Sequence, residues 1–213
     1  MRPEAYERDP RAIYARSFDI IRAEAPLDRL PQDIAEIAVR IVHACGMVDV
    51  AGDLVFSDSV ARAARAALGA GAPIYCDAQM VASGVIARAL PAANPVLVTL
   101  SDARVADLAK RHGTTRSAAA VMLWRDRLDG AVAVIGNAPT ALFQLLDLVE
   151  TGARPAAILG FPVGFVGAAE SKAALVKRAN GTPFLTLPGR RGGSAMAAAA
   201  VNALTLGLGG DGT

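Results

Sequence analysis

Side chains able to move a proton near neutral pH are scarce in this chain of 213 residues, whose only histidines are His43 and His112. His112 precedes Gly113 at the expected end of a helix and reads as a solvated surface residue. His43 stands differently. In PQDIAEIAVRIVHACG (Pro31–Gly46), Ile34, Ile37, Ala38, Ile41, Val42 and Cys45 form an apolar stripe at helical spacing. Arg40 and His43 are neighbours off that stripe, on a face with few other charges. His43 falls in the last turn, where the helix dipole favours the imidazolium, while Arg40 one turn back opposes it. That balance suits a proton donor. The plainer alternative is a half-buried polar histidine, and the residues alone leave both open.

Ser17, in DPRAIYARSFDII, shares the stripe of Ile13, Ile20 and Ile21. It is either a ligand contact or a hydroxyl bonded back to the preceding turn. Arg116 opens the helical stretch TTRSAAAVMLW; an arginine in a first turn opposes the dipole, which points to a ligand. Three glycine-rich stretches complete the inventory: GNAPT (Gly136–Thr140), GFPVGFVG (Gly160–Gly167) and GRRGGS (Gly189–Ser194). Each follows an expected strand and opens an expected helix. Side by side they would form a cleft lined by backbone N–H groups, a surface that favours anions. Asn137, Gly164, Gly167 and Arg190 are its candidate contacts, and the alternative is close helix–sheet packing.

Several chemistries are excluded by detail. A dinucleotide fingerprint needs G-x-G-x-x-G after a first strand and an acidic residue about 20 positions on. Here the spacing is Gly160, Gly164, Gly167 on a late strand, with Asn180 and Gly181 where the acid should be. No loop has the lysine of a phosphate-binding G-x-x-x-x-G-K-[ST], and no G-x-S-x-G elbow is present. Two histidines and two cysteines, Cys45 and Cys76, far apart in sequence, match no zinc spacing and form no C-x-x-C pair. The expectation is no metal and two free thiols in a reducing compartment. A net charge of +2 and 5% aromatic residues argue against nucleic acid. The apolar run Ala131–Val149 is broken by Asn137, Pro139, Gln144 and Asp147, so no membrane span is expected. The charged N-terminus lacks a signal-peptide core, so a cytoplasmic protein is expected. The positive charge is mostly arginine, whose planar fork suits carboxylates.

The elements that must position these residues alternate. Ala72–Asp77, Pro95–Leu100, Ala131–Gly136, Ala156–Phe161 and Pro183–Pro188 are short, apolar and uninterrupted, as strands buried on both faces are. Helical stretches separate them, four of five ending at or beside a glycine. Two helices, near Pro10–Ala25 and Pro31–Cys45, come first, with a possible strand at Asp53–Ser57 and a helix at Asp58–Leu68. This predicts an α/β protein: a three-layer, doubly wound, mostly parallel sheet with N-terminal helices, in one domain over residues 1–213 with a frayed tail at 207–213.

Several stretches together resemble the precorrin-8X methylmutases of the cobalamin (vitamin B12) corrin-ring pathway: RIVHACG (Arg40–Gly46), AGAPIYCDAQMV (Ala70–Val81), TRSAAA (Thr115–Ala120), AVIGNAPTALF (Ala133–Phe143), GFPVGFVGAAESK (Gly160–Lys172) and GRRGGSAMAAAAVNAL (Gly189–Leu204). The resemblance spans nearly the whole chain. It implies a flavodoxin-like fold, a homodimer, and migration of a methyl group from C-11 to C-12 of precorrin-8X to give hydrogenobyrinic acid, with no cofactor. It implies His43 as the acid that protonates the macrocycle, with Ser17 and Arg40 as substrate contacts. Overall it leans toward the metal-free, oxygen-dependent route, with possible hand-over of product to the next enzyme. One departure is Gln79 in CDAQM, where the family is expected to have Glu; Asp77 could replace a proton relay there. The rival expectations are a corrinoid carrier without catalysis and a phosphate- or nucleotide-binding enzyme.

Overall fold

The computed structural model describes residues 6–206, so the tail expected at 207–213 lies outside the described residues. Helix α1 (Pro10–Glu24) starts where Asp9 accepts a bond from the N–H of Arg11 and Pro10 takes the first helical position. Helix α2 (Gln32–Cys45) ends at Gly46, whose φ of 70° is the left-handed cap that glycine adopts without strain. Strand β1 (Val55–Phe56), α3 (Val60–Gly69), β2 (Ile74–Cys76) and α4 (Gln79–Gly84) follow. Then come β3 (Val96–Val98), α5 (Arg104–Arg111), α6 (Arg116–Met122), β4 (Val132–Ile135) and α7 (Pro139–Glu150). Strand β5 (Ala157–Gly160), α8 (Ala168–Arg178), β6 (Phe184–Thr186) and α9 (Ser194–Thr205) close the described chain.

The sheet order is β1-β6-β5-β4-β2-β3, with β2 to β6 parallel and β1 antiparallel on the edge beside β6. Alternation along each strand builds two cores. Ile74, Cys76, Val132, Val134 and Leu159 face α2, α3, α4 and α9. Tyr75, Ala133, Ile135 and Ile158 face α6, α7 and α8. The expected three layers and mostly parallel sheet are therefore present. The alanine excess lets α2 and α9 press closely together: Ala38, Ala197 and Ala200 are fully buried.

Three expectations change in detail. Helix α6 stops at Met122, because a 3-10 turn at Arg125–Arg127 breaks the longer helix the sequence pattern suggested. Helix α4 was not anticipated; it is six residues long and lacks a side-chain cap. The stripe of α1 is only partly buried, with Ile21 covered while Ile13 and Ile20 remain 47% and 46% exposed.

Lys172 on α8 is 1% exposed and donates to the carbonyl of Arg191 at 2.6 Å. Arg191 in turn pairs with Asp49 and Asp53, so the turn before α9 is held from both sides. Burial, helped by the Arg191 charge, lowers the Lys172 pKa to about 8 from 10.5. Between those values the unfolded chain carries a proton that the native protein has released, so stability gains from this group as pH rises. Comparing Lys172→Met with wild type by denaturant unfolding from pH 7 to 10.5 is expected to show wild type gaining on the variant by on the order of 2–3 kcal/mol. A constant difference would mean that Lys172 keeps its proton in the fold.

Candidate functional site

Helices α1 and α2 bring the predicted acid and its neighbours together. Ser17 Oγ lies 2.9 Å from His43 Nδ1. The Phe18 ring stacks on the imidazole at 5.0 Å between centroids, and the Tyr14 ring meets its edge at 5.8 Å. Arg40 donates to the Tyr14 hydroxyl at 2.8 Å and spreads its guanidinium over Phe18 at 5.4 Å. An Arg22–Glu36 pair at 2.7 Å joins the same two helices. The serine thus bonds the histidine across the helix pair rather than its own preceding turn.

That bond couples the proton position on the ring to the direction of the serine hydroxyl, which can donate to Nδ1 or accept from it. If the Ser17 hydroxyl donates to Nδ1, the neutral imidazole carries its proton on Nε2. If the ring is an imidazolium, Nδ1–H donates to Ser17 and Nε2 again bears a proton. In both of these states Nε2 can act as a donor, and in the neutral tautomer whose Nδ1–H donates to Ser17 it is instead an acceptor.

His43, Arg40 and Tyr14 line a cavity of about 600 Å³ whose remaining wall comes from α9 and from the segment after α4. Ala195, Ala198 and Ala199 give a flat floor, and none of the described residues lining the cavity is acidic. The arrangement can grip carboxylates through arginine forks and present one proton donor to a flat ligand.

The other predicted residues lie elsewhere. Arg116, Asn137, Gly164, Gly167 and Arg190 do not line this cavity. Gly164 and Arg190 border a separate groove of about 310 Å³ with Met47 and Phe165, where Arg190 lies 5.3 Å over the Phe165 ring. Arg116 reaches toward the Leu100 carbonyl. Gln79 is exposed at the start of α4 and donates to Ser83 at 3.3 Å.

The reading of the glycine loops as an array of free N–H donors needs correction. The carboxylate of Asp77, 2% exposed, accepts from the N–H groups of Gly136, Asn137 and Ala138 at 2.9, 3.0 and 2.8 Å. Burial raises the pKa of that carboxyl, and the three donors work against the rise. Gly164 N–H goes to the Arg190 carbonyl and Gly193 N–H to that of Phe161. A Cβ on Gly136 would stand 2.7 Å from Val81 and 2.8 Å from Ala197. A Cβ on Gly192 would meet the carbonyls of Phe161 and Pro162 at 2.5 and 2.6 Å. These glycines admit backbones to one another. Asp77 is likewise a brace between β2 and the loop after β4, and it does not line the cavity.

Tyr14, Arg88 and Asn202 line the cavity, and sequence reasoning missed all three. Tyr14 could have been found as the residue one turn before Ser17 and Phe18. Nothing local marks the other two.

Fold and cavity together define a doubly wound α/β protein with a histidine- and arginine-lined pocket on one helical face. The sequence model of the family described as precorrin-8X methylmutase matches residues 12–206, and the chain belongs to that family. A precorrin-8X methylmutase of Pseudomonas aeruginosa is 60% identical over 200 residues, covering 93% of this chain and 96% of that protein. One from Sinorhizobium sp is also 60% identical, over 93% of this chain and 95% of its own length. A cobalt-precorrin-8 methylmutase of Salmonella typhimurium is 39% identical over 93% of this chain and 96% of that protein. The solved precorrin-8X methyl mutase of Thermus thermophilus matches with a TM-score of 0.84 at 37% identity, covering 92% of this chain and 95% of that one.

Proposed function

We propose that this chain is an isomerase of corrin-ring synthesis that moves a methyl group from C-11 to C-12 of precorrin-8X and yields hydrogenobyrinic acid. Its full-length similarity to proteins named for that reaction carries the reading. The relative named for the cobalt-containing precursor is more distant, which supports a metal-free ring as substrate. The bond to C-11 breaks, the bond to C-12 forms, and substrate and product are isomers, so the reaction calls for no oxidant or group donor. His43 lends a proton from Nε2 to the macrocycle and recovers one after migration. Arg40 and the Tyr14 hydroxyl hold a carboxylate arm beside it. The alanine floor accepts the flat ring, and rigid placement supplies much of the acceleration.

A tetrapyrrole with its arms overfills 600 Å³, so parts of it reach beyond this cavity. Arg116, Arg190, Gly167 and the side-chain amide of Asn137 are assigned to those outlying parts, within one chain or across a homodimer, while the N–H groups of Asn137 and Gly164 are already bonded to Asp77 and Arg190. The exposed apolar side chains Ile13, Ile20, Phe165 and Val166 support such a dimer. The single domain is taken to be cytoplasmic and to release its product to the next enzyme. The test is a visible-absorbance assay with precorrin-8X and with its cobalt complex. Conversion of the metal-free ring, faster than of the cobalt complex, is expected. An unchanged spectrum with precorrin-8X would remove the proposal.

A further inference from the structure

The segment that leaves α4 forms a wall of the cavity separate from the α2 wall that carries His43, and both α2 and α4 pack on α9. The segment's course is set from outside. On α9, the side-chain amide of Asn202 accepts from the N–H of Ile86 at 2.9 Å and donates to the carbonyl of Gly84 at 2.9 Å. One planar amide therefore satisfies a donor and an acceptor two residues apart. At the same point a Cβ on Gly84 would stand 2.6 Å from the Ala198 Cβ, so glycine is what lets the segment lie against α9. The chain then makes a 3-10 turn over Ala87–Ala89, which places Arg88 on the cavity.

The Arg88 side chain forms no hydrogen bond or ion pair with any described residue, so nothing within the described chain neutralises the charge it presents to the cavity. It is exposed, no described residue lining the cavity is acidic, and Arg40 and His43 belong to the separate wall formed by α2. Two guanidinium groups carried by separate elements of one cavity, with the histidine beside one of them, fit a ligand that carries carboxylates on more than one side.

From this we infer that Arg88 is a substrate-binding residue that takes a carboxylate arm remote from the one held by Arg40, and that Asn202 is the positioning residue that aims it. The inference rests on the corrin reading and adds the grip that fixes which edge of the ring faces His43. Binding on two walls constrains rotation of a disc in its plane, which one arginine cannot do. Because an arm distant from the migrating methyl is held equally before and during the reaction, Arg88 contributes to KM and not to kcat.

Titration with hydrogenobyrinic acid, followed by visible absorbance, tests this on wild type, Arg88→Ala, Arg88→Lys, Asn202→Ala and the Arg88→Ala/Asn202→Ala pair. Loss of the arginine is expected to weaken binding about tenfold or more, with lysine recovering part of it. In turnover, KM should rise by a similar factor while kcat holds. The methyl ester of the same ring, which lacks the charges, should bind wild type and Arg88→Ala alike. Asn202→Ala should weaken binding less than Arg88→Ala, and the double variant should match Arg88→Ala alone, because a residue acting through Arg88 has nothing left to aim. Wild type that fails to bind hydrogenobyrinic acid would remove the corrin reading itself. Wild type that binds while Arg88→Ala binds equally well, or loses the ester to the same degree, would overturn the role of Arg88 and leave that reading standing. Additive losses in the double variant would overturn the role of Asn202.

Discussion

Replacement of His43 by alanine is expected to lower precorrin-8X turnover about 10²- to 10⁴-fold, the usual contribution of a positioned acid, while hydrogenobyrinic acid still binds. The separation between chemistry and binding follows from the cavity. Its alanine floor belongs to α9, and its guanidinium groups come from Arg40 and Arg88. None of these is held by the imidazole; Arg40 is fixed by Tyr14 and Phe18. The imidazole is stacked on Phe18 and bonded only through Nδ1 to Ser17, so its removal deletes a proton donor without collapsing a wall. His43→Asn is the sharper variant, since it keeps a polar group near Ser17 and cannot donate from the Nε2 position. Ser17→Ala should cost only about 3- to 10-fold, because it removes the bond that orients the imidazole without removing the acid. Ser17→Thr should restore much of that loss. Single-turnover measurement on wild type and the four variants decides the matter. Equal rates for wild type and His43→Asn would leave the methyl shift without acid assistance from this residue and reduce the protein to a binding scaffold.

The parts of this site that were legible in the sequence are those written by local periodicity. The apolar stripe of α2 placed Arg40 and His43 together off the core, and they do share a cavity wall. Short apolar runs marked the strands, fully buried in β2, β4, β5 and β6 but only half-buried in the edge strand β3, and Asp9–Pro10 and Gly46 marked helix ends. What stayed hidden depends on contacts between distant positions. The Ser17–His43 bond spans 26 residues and the Asn202–Gly84 bond 118, and no spacing rule reaches across either. Ser17 was legible as an off-pattern hydroxyl but its partner was not. Helix α4 is too short to establish a period, so the wall bearing Arg88 had no signal at all. The glycine loops show the opposite error. Their composition correctly marked a place where backbones come close, but composition cannot say whether the approaching group is a ligand or the protein itself. Here the approaching groups are Asp77, Ala197 and the Phe161–Pro162 backbone.

Asp77→Ala is expected to destabilise the fold by about 3–5 kcal/mol, because it strips acceptors from three backbone N–H groups that water reaches poorly. For a chain of this size that corresponds to a fall in Tm of roughly 10 °C or more. The loss is local in cause and wide in effect. Strands β2 and β4 are neighbours, and the carboxylate crosses from the end of one to the loop beyond the other. That loop starts α7 at Pro139, which packs on α6 and α8, and its Gly136 touches α9 through Ala197 and the Ser194 Cα. Slackness there reaches α9, hence the cavity floor and Asn202. Asp77→Asn should recover only part of the stability, since one carbonyl oxygen replaces two and its NH₂ group must face an N–H donor. Thermal and urea unfolding of the two variants, together with binding of hydrogenobyrinic acid below the transition, separates the roles. Asp77→Ala that folds with wild-type stability would mean that the N–H groups of Gly136–Ala138 find solvent, and would return that loop to the list of possible anion sites. Asp77→Asn that is as stable as wild type but inactive would instead reinstate this carboxylate as part of the chemistry.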